Sequence, residues 1–332
     1  MASGTLDDLF VYALRRVTEV AACAAFDWIG RGDRHQGDAA AVRAMRDALN
    51  LLPIDGTIVI GEGEKDQAPQ LFKGERVGAA RNGPRLDVAV DPVEGTSYLA
   101  KGLTNAMAVV ATAPSGALFD PGPAFYMEKF AAPPAAKGEI DPSWPVARKL
   151  RRLAEVLGKP VADLTVFVLE KPRHRGLVEA IHDAGARVAL YPAGDVAGGL
   201  MAAIPGSGID ALMGTGGTPE GVLTACAVRA LGGEFLGRLD PQLPSEQIAV
   251  REAGLETERW HGVEDLARSD DSFFCASGIT TGLLFDGVEP SSTHYRVQTL
   301  MVSGPSRERQ VLTSYLPRLR EVAVEERNAV NA

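Results

Sequence analysis

The sequence predicts a layered α/β protein, and three observations carry that prediction. From Val146 onward helical and strand-like stretches alternate: Val146 to Leu157 before LTVFVLE, Gly176 to Ala184 before RVALYP, Val196 to Ile204 before IDALMGTGG, then the long helix TPEGVLTACAVRAL. The intervening strands are runs of β-branched and apolar residues, as expected of strands buried on both faces. The composition, 45% apolar and 23% charged over 332 residues, is that of a globular protein with ample core.

Taken in order, Leu6 to Ile29 carries apolar residues at helical spacing, with Leu6, Leu9, Phe10, Ala13, Leu14 and Val17 on one side and Gly30 and Gly32 at its end. The polar loop GRGDRHQGD follows, and Asp38 is expected to cap a second helix running through about Leu51. After a turn at Pro53 to Gly56, Thr57 to Ile60 reads as a buried strand with Glu62, Glu64 and Asp66 at its C-terminal end, where α/β sites lie. In DVAVDPVEGTSYLAK, Asp87 to Lys101, alternating apolar residues lead into Asp91. Pro92 is then expected to break the strand, and Glu94, Gly95 and Thr96 open a helix.

NAMAVVATA and Phe125 to Ala131 read as further strands. The stretch Pro133 to Pro145, rich in Pro, Gly and Ala, is the expected boundary between an N-terminal part (1–135) that binds metal and phosphate and an α/β C-terminal part (145–332). After Glu234 the pattern turns strand-rich, with SFFCASGI, GLLFDGV and HYRVQTLMVSG.

The net charge of -9 argues against a nucleic-acid partner held by a broad basic surface. No run approaches the ~18 apolar residues of a membrane span, and MASGTLDDLF lacks a basic segment followed by an apolar one, so a cytoplasmic protein without membrane partners is expected. Cys23, Cys226 and Cys275 lack metal-type spacing and read as buried reduced thiols.

The chemistry concentrates at strand ends. A strand-to-helix junction attracts anions, because the first helical N–H groups have no internal partners. Asp91 and Glu94 at such a junction repel an anion unless a divalent cation neutralises them, and hard oxygen donors without a His/Cys cluster suit Mg²⁺ or Mn²⁺ rather than zinc. KPRHR, Lys171 to Arg175, places cations at a helix start, against the helix dipole, and a bound phosphate would reconcile the two. PAGDV sets Asp195 at another strand end. In GTGGTPEG the third glycine of a dinucleotide loop would fall on Pro219, which argues against a nucleotide-dependent oxidoreductase, and metal ligation explains Glu220 better.

With GRGD, IDGTIVIGEGE, DPVEGT, YMEK, KPRH, GDVA, GGTPEGV and ARSD in order from roughly Leu9 to beyond Ser303, the chain resembles the class II fructose-1,6-bisphosphatases. Some of these also hydrolyse sedoheptulose 1,7-bisphosphate. DPVEGT also resembles the DPxDGT signature of the wider lithium-sensitive phosphatase superfamily. The resemblance implies a layered α/β/α/β/α sandwich of the sugar-phosphatase type, a homodimer or homotetramer, and a place in gluconeogenesis or the Calvin/pentose phosphate cycle.

It further implies that Asp38, Glu62, Asp91, Glu94 and Glu220 are metal ligands, with two cations about 4 Å apart. Glu94, Gly95, Thr96, Tyr126, Lys171, Arg173, Asp195 and Gly217 are the implied substrate contacts. Thr96 would orient the attacking water or the phosphoryl group, Glu62 or Asp66 would accept the proton, and Lys171 and Arg173 would grip the distal phosphate. One departure is Ala193, where relatives often carry a second Asp, and it bears on the contacts to the sugar. The competing readings are a phosphatase for inositol phosphates or phosphoadenosine nucleotides, against which KPRHR and GGTPEGV stand, and a non-catalytic sugar-phosphate sensor, against which the complete acidic set stands.

Overall fold

The computed structural model describes residues 9–62 and 70–318. In chain order the elements are α1 (Phe10–Phe26), α2 (Arg34–Leu49), β1 (Asp55–Ile60), β2 (Arg76–Val77), β3 (Arg85–Glu94), α3 (Thr96–Lys101), β4 (Met107–Pro114) and β5 (Tyr126–Ala132). The middle of the chain supplies α4 (Val146–Leu157), β6 (Thr165–Leu169), α5 (Arg175–Asp183), β7 (Arg187–Tyr191), α6 (Asp195–Ala203), β8 (Ala211–Gly217) and α7 (Thr218–Leu231). The remainder is β9 (Glu234–Leu239), α8 (Pro244–Glu252), β10 (Trp260–His261), α9 (Val263–Leu266), β11 (Phe273–Gly278), β12 (Glu289–Pro290), β13 (His294–Ser303) and β14 (Arg309–Pro317).

The strands form two mixed sheets. One runs β12-β13-β11-β4-β3-β1-β2 with β14 also paired to β13, and the other runs β10-β9-β5-β8-β6-β7. Helices α1 and α2 bury Leu14, Val17, Met45 and Leu49 against the outer face of the first sheet. Helices α6 and α7 lie between the sheets, where Leu200, Met201, Val222 and Cys226 meet residues of both, such as Val109 and Phe167. Helices α4 and α5 cover the outer face of the second sheet through Leu150, Leu153 and Ile181. The order of layers is therefore α/β/α/β/α, as expected.

The sequence explains the central layer. DVAGGLMAA and most of TPEGVLTACAVRAL are apolar all round, and such helices must be buried on every side. All nine residues of α6 are buried. The sheets do not divide the chain at Pro133 to Pro145: β5 precedes that stretch yet belongs to the second sheet, and β11 to β14 return to the first.

Three local expectations are corrected. Asp33, not Asp38, caps α2, accepting the His35 and Gln36 N–H groups at 3.0 and 3.1 Å, and Asp38 lies inside the helix, which ends at Leu49. Pro92 does not end its strand. The register against β4 shifts between Asp91 and Glu94, so β3 carries an extra residue there and a residue without an N–H is tolerated. GLLFDGV is a loop rather than a strand. The Leu283 N–H bonds the Asn105 side chain at 2.7 Å, and Gly282 and Gly287 fold against Asn105 and Thr280, spending its donors outside any ladder. Among the described residues no helix is long and apolar enough to cross a membrane.

Candidate active site

Two left-handed glycines set the geometry. Gly95, φ +87°, turns the chain from β3 into α3, and Gly194, φ +83°, turns it into α6. Only glycine adopts that conformation at little cost. The Tyr98 ring packs between them: a Cβ on Gly95 would lie 2.6 Å from it and one on Gly194 3.3 Å. The Tyr98 hydroxyl donates to the Ala193 carbonyl at 2.7 Å and accepts the Ala193 N–H at 3.1 Å. The turn carrying Thr96, half-buried at the first position of α3, is thereby tied to the turn carrying Asp195.

Carboxylates converge beside these turns. One oxygen each from Asp91, Glu94 and Glu220 lies within 4.8 Å of the others, although Glu220 comes from α7, more than a hundred residues away in the chain. Burial pushes the Asp91 carboxyl well up, helped by the charges of Glu94, Glu220, Glu62 and Asp38; of the five expected ligands, Asp91, Glu94 and Glu220 are the ones grouped within reach of a single ion among the described residues. Burial first, then Asp195 and Glu220, push Glu94 up to about 8. Acids pushed up by burial and by one another's charge are what a bound cation stabilises in their ionised form, and an all-oxygen donor set fits a hard divalent ion.

Alongside lies a second group. The Arg173 guanidinium donates to the Thr215 carbonyl through Nε and Nη2 at 3.1 and 2.7 Å and sits 5.2 Å from the centre of the Tyr126 ring. Tyr126 pairs with Gly217 across β5 and β8. Lys171 begins the same short turn as Arg173. Buried His174 in that turn is spent internally, since its Nδ1 bonds the Leu169 carbonyl at 2.7 Å while Nε2 accepts the Thr215 N–H at 2.8 Å. Consecutive glycines of β8 leave space for the acids: a Cβ on Gly216 would lie 1.8 Å from an Asp195 oxygen, and one on Gly217 1.8 Å from a Glu220 oxygen. That accounts for the glycines of GTGG without a nucleotide. Asp66 lies outside the described residues.

Sequence reasoning missed two residues here. Lys129 forms a 2.6 Å ion pair with Asp195, with side chains only 1% and 7% exposed; the available signal was a lysine in the same strand phase as Met127 and Ala131. Buried Glu246 accepts the Phe125 and Tyr126 N–H groups at 2.6 and 2.8 Å and so fixes the start of β5. Nothing local to α8 announces that role.

A five-layer α/β protein that gathers hard oxygen donors at strand ends, next to an oriented guanidinium, defines the class of metal-dependent phosphatases. The chain belongs to the bacterial fructose-1,6-bisphosphatases encoded by glpX, whose family profile matches residues 9–316. It is 44% identical over 305 residues to fructose-1,6-bisphosphatase 1 class 2 of Escherichia coli K12, covering 88% of this chain and 90% of the relative. The class 2 fructose-1,6-bisphosphatases of Escherichia coli O6:H1 and Shigella flexneri match with the same identity and coverage.

Proposed function

We propose that this protein hydrolyses the C1 phosphate of fructose 1,6-bisphosphate to fructose 6-phosphate and phosphate with Mg²⁺ or Mn²⁺, and accepts sedoheptulose 1,7-bisphosphate as a second substrate. The observation that carries this reading is the convergence of Asp91, Glu94 and Glu220 beside a pre-oriented Arg173. Asp38, Glu62, Asp91, Glu94 and Glu220 hold the cations, which when bound supply positive charge to the phosphoryl group and acidify the attacking water. The Thr96 hydroxyl, at a half-buried helix start, orients the water or a phosphoryl oxygen. Glu62 or Asp66 takes the proton.

Arg173, with two N–H groups fixed by Thr215, turns its remaining donors and Lys171 to the distal phosphate. This grip selects bisphosphates and positions the sugar without entering the chemistry. The test is phosphate release from a panel of sugar bisphosphates, inositol phosphates and phosphoadenosine nucleotides with Mg²⁺ or Mn²⁺. Fructose 1,6-bisphosphate is expected to lead, and no release from any sugar bisphosphate would overturn the reading in favour of a sensor. In the same assay Thr96→Ala is expected to lower kcat by about 10²-fold or more while KM changes little; unchanged turnover in folded protein would remove Thr96 from the mechanism.

A further inference from the structure

Lys129, paired with the expected sugar contact Asp195, is the buried charge that the proposed reaction leaves unused. A buried ion pair is weak evidence for stability, since an apolar pair of similar volume serves as well or better, so its presence beside the acid cluster calls for another reason. Lys129 sits on β5 opposite Gly214 of β8, and its ammonium reaches Asp195 Oδ2 at 2.6 Å. The slot is close-fitting: a Cβ on Gly216 would lie 3.2 Å from the ammonium, and one on Gly221 3.2 Å from Cε.

Asp195 has a second course open to it. The next residue, Val196, donates its N–H to Glu94 at 3.2 Å, and the consecutive glycines Gly216 and Gly217 face Asp195 and Glu220 in turn, a Cβ on each lying 1.8 Å from the respective carboxylate oxygen. Released, its carboxylate stands next to a set of oxygen donors that a cation draws together. We propose that Lys129 is a positioning residue that withholds Asp195 from the cation cluster and commits it to the sugar. This rests on the reading of Asp91, Glu94 and Glu220 as cation ligands and of Asp195 as a sugar contact.

The experiment pairs calorimetric titration of the metal-free protein with Mn²⁺ against steady-state kinetics on fructose 1,6-bisphosphate. In Lys129→Met, Mn²⁺ binding is expected to tighten by about threefold or more as Asp195 turns to the cluster, and KM to rise about tenfold with kcat little changed. Adding Asp195→Asn should return Mn²⁺ binding to the wild-type value and leave KM high. Where the Met variant does not fold, Lys129→Gln, which keeps a polar side chain in the slot but removes the charge and falls one atom short of the ammonium position that holds Asp195, is expected to show the same tightening.

Unchanged Mn²⁺ affinity and KM in a folded Lys129 variant overturns the proposal, as does a fall in kcat alone. If wild-type protein neither binds Mn²⁺ nor releases phosphate, the reading of the site itself fails. If it does both while the Lys129 variants match it, only the role of Lys129 fails.

Discussion

Glu94→Gln is expected to make the metal-free protein more stable and the loaded enzyme nearly inactive. Glu94 is 5% exposed, and its strongest charged neighbours are Asp195 and Glu220, both acids. A neutral amide of the same shape keeps an oxygen for the Val196 N–H, 3.2 Å away, and removes a charge that burial and repulsion oppose. The melting temperature of metal-free protein should rise by on the order of a few degrees. The same change removes one of three converging donors, and kcat should fall by about 10²–10³-fold. A structural carboxylate gives the opposite pattern: loss of stability with activity largely kept. Thermal unfolding in EDTA, set beside turnover in saturating Mn²⁺, separates the two.

The second large effect is a pH dependence that a cation reverses. Glu94 binds its proton up to about 8 in the folded chain against an ordinary 4.5, and burial moves Asp91 in the same direction. Between those two values the folded state holds more protons than the unfolded state. Metal-free stability is therefore fully present below the ordinary carboxylate range and falls as pH climbs through this window. The cost from Glu94 at neutral pH is about 3 kcal/mol. Bound cation favours the ionised acids and restores stability by mass action, most strongly at the alkaline end.

The expected measurement is a melting temperature in EDTA that drops between about pH 5 and about pH 8 more steeply for wild type than for Glu94→Gln, with Mn²⁺ closing the gap. Parallel curves for the two proteins would show that Glu94 does not carry the effect.

Strand and helix identity was legible in the sequence wherever periodicity was long or burial complete. Helices Val146–Leu157 and Thr218–Leu231 fall at the expected residues, since a Pro or Gly marks their ends and each apolar pattern spans several turns. Asp33 and Asp38 were harder to separate. Both flank one polar loop, and which of them caps α2 depends on which N–H groups the turn leaves open. GLLFDGV failed for a related reason: its apolar run is real, but it packs as a loop against Asn105, whose φ of +77° a reading of hydrophobicity does not sense.

At the site, Asp91, Glu94 and Glu220 were readable because each stands at or near a strand's C-terminal end, where backbone geometry alone exposes a side chain. Lys129 was not, because its partner is 66 residues away and only the folded sheet brings Asp195 over it.

The provenance of the three converging acids has a consequence for how activity is acquired. Asp91 and Glu94 come from the first sheet, Glu220 from a helix packed between the sheets, and the first sheet is completed only when β11 pairs with β4, and β13 with β11, late in the chain. Pairings this distant in sequence form slowly, because loop closure must precede the contacts that compensate it. Catalytic competence is thus a property of the finished topology. On dilution from denaturant, phosphate release is expected to recover after far-UV dichroism does, and simultaneous recovery would show that a partial assembly suffices.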